Sequence, residues 1–325
     1  MRHYSTLVSK VFVAAIFGIL LAASTQAQVS LRKALDYDND GKADFSIFRP
    51  GDKAWYVFTS TGGVIAQSWG DFTTDFLTPG DYDGDGKSDI SVFRDTAGMW
   101  FTLNSSDSTV SFTPWGTTGD EPVARDYDGD GKTDFAVVRR TGAPTTGTMT
   151  WYILRSSGGG FDAIQWGIPA DVTAPGDYDG DGKFDVCVQR YASLSAQANF
   201  YALQSSNGAL MATQWGIGSD FVVPGDYDGD GKTDIAVVRE GETEADQLTW
   251  FVYNSGSGSI TIAQWGLSGT DHLTPNDYDG DGKVDLAVWR ETNGTFYVYR
   301  SSDGGIISVP WGIGGDFPVA EYDVH

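Results

Sequence analysis

The chain has 325 residues and a formal net charge of −23, with 14% aromatic residues and 11 Trp. Acidic disordered proteins are poor in aromatics, so this composition describes a folded chain able to bury a large core. No basic face is visible, which argues against nucleic acid as a partner.

Taken in chain order, the first feature is an export signal. Arg2, His3 and Lys10 precede the apolar run VFVAAIFGILLAA, residues 11–23, and STQA follows. Thirteen apolar residues are short for a bilayer span and suit the core of a signal peptide. Residues 1–27 are therefore predicted to be a signal cut after Ala27, with an uncleaved anchor as the alternative. No other long apolar run follows. Residues 28–325 are expected to be one mature domain without a membrane span, monomeric, and secreted, periplasmic or held at the cell surface. The single cysteine, Cys187, rules out an internal disulfide and occupies a position held elsewhere by Ser46, Ser91, Ala136, Ala236 and Ala287. It reads as a small buried residue.

From residue 36 the sequence repeats. Aligning on a tyrosine gives Tyr37, Tyr82, Tyr127, Tyr178, Tyr227, Tyr278 and a truncated seventh, Tyr322, at intervals of 45, 45, 51, 49, 51 and 44. Each unit runs from an Asp-rich loop through text like DFAVVR, then WYIL or FYAL, a Ser/Gly-rich turn, and QWG. The segments between turns are short and rich in Val, Ile, Phe, Tyr and Trp, a strand pattern without helical periodicity. In the fifth unit strands are predicted at 221–226, 234–239, 249–254 and 260–265. Four antiparallel strands per unit, six times over, predict an all-β fold: a β-propeller of six four-stranded blades. A seventh blade built from terminal segments is the alternative. DFPVAEYD, 316–323, resembles a first strand and then stops, so it is expected to complete the first blade and close the ring.

Each unit carries the pattern D-x-D-x-D-G-x-x-D. The carboxylates are Asp36, Asp38, Asp40 and Asp44; Asp81, Asp83, Asp85 and Asp89; Asp126, Asp128, Asp130 and Asp134; Asp177, Asp179, Asp181 and Asp185; Asp226, Asp228, Asp230 and Asp234; Asp277, Asp279, Asp281 and Asp285. With four Asp against one Lys per run, the six runs account for −18 of the net charge. Two carboxylates ~5 Å apart at an effective dielectric of ~20 repel by about 3 kcal/mol, so such clusters call for a cation. Positions 1, 3 and 5 can turn carboxylates inward, Gly at 6 permits the sharp turn, 7 can offer its carbonyl, and Asp at 9 can close the shell. All-oxygen ligands in a flexible loop suit Ca²⁺ better than Mg²⁺, and about six ions are expected. The twelfth position is Val92 or Val237 rather than Glu, so the loops are not EF-hands.

These loops, one per repeat, resemble the FG-GAP/VCBS-type repeats of integrin α-subunit propellers and of many bacterial exported proteins. The resemblance covers essentially the whole mature chain, with Asn39 departing from the usual Gly. It implies a loop between strands 1 and 2 of each blade that binds Ca²⁺ on one rim. It implies little about the ligand, because similar propellers serve adhesion, glycan binding and attachment to catalytic domains.

Strand direction sorts the remaining features. The Asp loops and the Ser/Gly turns share one face. Strand 2 ends in Arg (Arg49, Arg94, Arg139, Arg190, Arg239, Arg290), strand 4 in Trp (Trp69, Trp115, Trp166, Trp215, Trp265, Trp311), and Asp precedes strand 1 (Asp75, Asp120, Asp171, Asp220, Asp271, Asp316), all on the other face. Two readings stand: a ring that grips sugars, or Arg–Asp pairing and Arg–Trp packing between blades. Identical use in every unit favours the second. From that Arg to the first aromatic of strand 3 the separations are 6, 6, 12, 10, 11 and 6. The long loops 140–150, 191–199 and 240–249 belong to consecutive units, and two readings stand equally: surface insertions that the fold tolerates, or the place where a glycan or an extracellular protein would dock. Arg139, Arg190, Arg239, Trp166, Trp215 and Trp265 are the candidate ligand residues on that side.

Catalysis finds little support. After signal removal only His272 and His325 remain, with no HExxH helix and no placed Ser-His-Asp set. His272 stands where other units have Phe76 or Phe221, a structural position. No catalytic residue is assigned, and a glycosidase or lyase using acids outside the loops, such as Glu240 or Asp271, is the alternative to a recognition module.

Overall fold

A computed structural model describes residues 35–320. The predicted signal at 1–27 with its cleavage site, Tyr322 and His325 lie outside the described residues. Six four-stranded antiparallel sheets stand as blades in a propeller ring. Among the described residues the helical content is confined to short 3₁₀ turns such as Asp95–Ala97. In the fifth blade the strands are Phe221–Val222, Ile235–Arg239, Gln247–Tyr253 and Ile260–Leu267, innermost to outermost. Prediction and structure differ mainly at the innermost strand. Its pairing stops after two residues because the chain then turns into the Asp loop, leaving only a single bridge between Gly225 and Asp234.

The ring closes with the first and last described strands in one blade. Phe317–Pro318 pairs as the innermost strand with Phe45–Arg49, which pairs in turn with Ala54–Phe58 and Val64–Ser68. This is the closure expected from the truncated seventh unit. It buries the apolar strand text on both faces and leaves no blade with a missing inner strand.

The core lies between blades. In blades 1, 2, 3 and 5 a fully buried Trp of the third strand fills it: Trp55, Trp100, Trp151 and Trp250. Each donates its indole N–H to the carbonyl of the outer-strand Trp of its own blade, at 2.8–3.1 Å. In blade 6 the third strand offers Phe296, and Trp289 of the second strand makes the equivalent bond to Trp311. Loop tyrosines bind back to the innermost strand, as Tyr127 Oη does to the Val123 carbonyl at 2.7 Å. Cys187 is fully buried and its thiol is pushed up by desolvation, in keeping with the small buried residue expected.

One position breaks the apolar rule. Where other second strands carry Phe48, Phe93, Val138, Val238 or Trp289, blade 4 carries Gln189, fully buried, with neither amide atom hydrogen-bonded among the described residues. An unpaired buried amide costs about 1–3 kcal/mol. Gln189→Leu is therefore expected to stabilise the protein by about 1–2 kcal/mol, read as a higher urea midpoint. An unchanged or lower midpoint would show that the amide has a partner in solution.

Candidate cation loops and the opposite face

Each Asp run folds on its own first carboxylate. In blade 2, Asp81 Oδ1 accepts the Gly84 N–H at 2.6 Å and Oδ2 the Gly86 N–H at 3.0 Å. Asp83 accepts the Asp85 N–H at 3.1 Å and Asp85 the Lys87 N–H at 2.8 Å. Asp89 Oδ2 accepts the Tyr82 N–H at 2.8 Å. These bonds need left-handed backbone at positions 4 and 6, with φ of 83° at Gly84 and 91° at Gly86. Asn39 keeps that conformation at φ 62°, which is why loop 1 tolerates it.

The carboxylates converge. One oxygen each from Asp36, Asp38 and Asp40, from Asp81, Asp83 and Asp85, and from Asp226, Asp228 and Asp230 lie within 4.8 Å of one another. In blades 3 and 4 the corresponding trios include position 9: Asp126, Asp128 and Asp134, and Asp177, Asp179 and Asp185. Desolvation by burial pushes the carboxyls of Asp126 and Asp226 up to about 6 and those of Asp134 and Asp177 to about 7, with neighbouring carboxylates adding to the rise. Asp38 Oδ1 is buried without a hydrogen-bond partner among the described residues. An anionic, all-oxygen donor set, buried at positions 1 and 9 and in loop 1 carrying an orphaned oxygen, fits a hard divalent cation.

The loops also hold one another. The N–H at position 8 of each loop donates to the carbonyl at position 1 of the preceding loop, at 2.7–2.9 Å. The donors Ser88, Thr133, Phe184, Thr233, Val284 and Ala43 meet Asp36, Asp81, Asp126, Asp177, Asp226 and Asp277. The Ala43 bond carries the chain of contacts from blade 6 back to blade 1. Lysines at position 7 lie across the Gly at position 4 of the preceding loop, as Lys132 does on Gly84, with its Nζ 2.8 Å from the Asp83 carbonyl.

On the opposite face all six Arg residues are bidentate to the Asp that opens the innermost strand of the same blade, at 2.7–2.9 Å. Each guanidinium also sits over a third-strand ring, 4.6–5.4 Å from the centroid. Each outer-strand Trp donates its indole N–H to a third-strand carbonyl of the next blade, Trp166 to Tyr201 and Trp311 to Tyr56, for example. Arg139, Arg190, Arg239, Trp166, Trp215 and Trp265 thus all have internal partners, while the Arg side chains stay 33–40% exposed. Trp215 and Arg239 line one cleft of ≈400 Å³ with Gln197 and Gln214.

The three long loops lean on the exit turns of their own blades. Ala170 N–H donates to the Pro144 carbonyl, Ser219 N–H to Leu194, and Gly269 N–H to Glu244. Beside this wall two hollows, ≈540 and ≈480 Å³, meet at Val172 on the innermost strands. Phe76, Glu121, Val172, Phe221 and His272 line them, each the residue directly after the paired Asp. Glu121 pairs with Arg140, while Glu240 and Glu291 edge the second hollow. Sequence reasoning gave Phe76, Phe221 and His272 a structural position and passed over Glu121 and Val172. Strand alternation was the available signal: Asp75 and Leu77 point inward, which turns Phe76 out.

The Arg–Asp pairs carry a prediction. Asp171 has a fully buried carboxylate that also accepts the Ile168 N–H at 2.8 Å. Removing it strands that N–H and leaves a guanidinium that water can partly reach. Asp171→Ala is expected to cost about 2 kcal/mol of unfolding free energy in urea, and Arg190→Lys less. Equal stability of Asp171→Ala and wild type would show the pair to be ornamental.

The profile of the FG-GAP-like repeat matches residues 81–137, 126–188 and 226–288, together more than half the chain. No curated protein matches. Among solved structures, a catalytically inactive virginiamycin B lyase from Staphylococcus aureus with quinupristin is 9% identical at a TM-score of 0.47, covering 88% of this chain and 95% of that one. The tricorn protease is 12% identical at 0.41, covering 81% and 31%. Neither likeness is close enough to bear on function.

Proposed function

The chain belongs to the FG-GAP-like repeat family, and from that premise we propose an exported, calcium-stabilised propeller that recognises a glycan or an extracellular protein without catalysis. The observation that carries this reading is the division of labour between the two faces. The acidic loops are near-identical and bound to one another, as a scaffold is. The other face holds the unequal loops and the hollows around Val172.

In this reading the 24 loop aspartates hold about six calcium ions, one per blade. Calcium supplies the positive charge that lets four clustered carboxylates, two of them buried, stay ionised together. The chain's own part is to present carboxylates at positions 1, 3, 5 and 9 in a loop shaped by glycines. Ligand would enter beside the wall of long loops and meet exposed Phe76 and Phe221, with the guanidinium edges of Arg139, Arg190 and Arg239 and the rims of Trp166, Trp215 and Trp265 further out. Among the described residues no helix is long and apolar enough to cross a membrane. Export rests on the signal read at residues 1–27.

Chelation tests the calcium half. EDTA is expected to lower the melting temperature by about 10 °C or more, and calcium to restore it, because each ion bound only by the folded state adds stability. A melting temperature indifferent to both would remove calcium from the account. The recognition half is tested by glycan array and by pull-down on extracellular extracts. Capture is expected to be lost at least tenfold in Phe76→Ala/Phe221→Ala and on trimming 240–249, with folding intact. Capture indifferent to both changes would move the site elsewhere. Release of product from a captured polysaccharide would place the protein among glycosidases or lyases instead. Glu240 and Glu291 would then be the carboxylates in reach, since both oxygens of Asp271 are taken by Arg290.

A further inference from the structure

The turn between the third and outer strands reaches back onto the Asp loop of its own blade. Its first two residues are Ser60-Thr61, Ser105-Ser106, Ser156-Ser157, Ser205-Ser206, Ser255-Gly256 and Ser301-Ser302. In every blade the backbone N–H of the first donates to Asp Oδ1 at loop position 9, at 2.6–2.7 Å. Its hydroxyl donates to the Asp at position 5, as Ser156 does to Asp130 at 2.9 Å. The second hydroxyl donates to Oδ2 of the Asp at position 3, as Ser106 does to Asp83 at 2.6 Å and Ser157 to Asp128 at 2.5 Å. Thr61 does the same to Asp38. Three of the four carboxylates are thus oriented from outside the loop, each keeping lone pairs for a cation.

Resting on the calcium reading above, we propose that this Ser/Thr pair is the positioning element of each cation loop, and that differences in the pair set the affinities of the individual loops. The molecule contains its own comparison. Loops 126–134 and 226–234 have the same nine residues, DYDGDGKTD. Their turns differ: blade 3 has Ser157, and blade 5 has Gly256, whose backbone N–H alone reaches Asp228 Oδ2, at 3.2 Å. With one hydroxyl fewer, Asp228 is less firmly aimed, so the fifth loop binds calcium more weakly than the third. A carboxylate pre-set in its binding rotamer loses less freedom when the ion arrives, which is the origin of the difference.

Hydrogen exchange read by mass spectrometry, on the whole mature chain across a calcium titration, follows each loop separately. The 126–134 segment is expected to reach half-protection at about three- to tenfold lower calcium than 226–234, the net worth of one ordinary hydrogen bond. Ser157→Ala and Ser157→Gly should raise the 126–134 midpoint toward that of 226–234 and leave the other loops in place. Ser157→Thr, which copies blade 1, should hold it. A purely structural role would lower overall stability without moving one loop's midpoint alone. Equal midpoints in the two wild-type loops, or an unmoved 126–134 midpoint in Ser157→Ala while calcium still protects that loop, overturn the proposal. Absence of calcium protection in every wild-type loop defeats instead the calcium reading on which it rests.

Discussion

A backbone hydrogen bond from each acidic loop to the next, repeated six times and closed by Ala43 on Asp277, is the contact around which the molecule is organised. It places the most charged segments of the chain in one continuous belt. Such a belt concentrates carboxylates that repel one another, and their burial raises their proton affinity further. The glycines at positions 4 and 6, the lysines laid across the preceding loop and the serines of the outer turn all answer that one electrostatic constraint. A cation in each loop would answer it most fully.

With the belt fixing one face, the other is joined by different chemistry. Arg–Asp forks close the mouth of each blade, and Trp indoles stitch each outer strand to the next blade. Both devices recur without exception, so their cost and benefit are shared by all six blades. What varies is the length of the loops after the Arg, and the residue after each paired Asp: Phe76, Glu121, Val172, Phe221, His272 and Phe317. Variation against a constant frame is where a repeat protein has room to acquire a specific partner.

Much of this was legible in the linear chain. The repeat spacing carried the blade number, because each blade needs its four strands and cannot bury itself alone. DFPVA has the text of a first strand, and it pairs with Phe45–Arg49 as the expectation of closure required. Register of the four Asp residues foretold carboxylates gathered in each loop. The Arg, Trp and Asp series could be placed on one face by strand direction, yet sequence left two uses open. Only the fold showed each Arg forked on its Asp and each Trp bonded across a blade boundary.

The chain by itself thus determined the all-β architecture, the six-fold repeat and the acidic loops, because each depends on local spacing within about fifty residues. Tertiary structure alone decided which carboxylate meets which serine, which loop donates to which, and that Phe76, Val172, Phe221 and His272 come together around hollows. Those meetings join residues tens to hundreds of positions apart, such as Arg49 with Asp316, and no local pattern encodes them. Gln189 marks the same limit from the other side: its text is an ordinary strand residue, and only packing reveals a buried amide without a partner among the described residues.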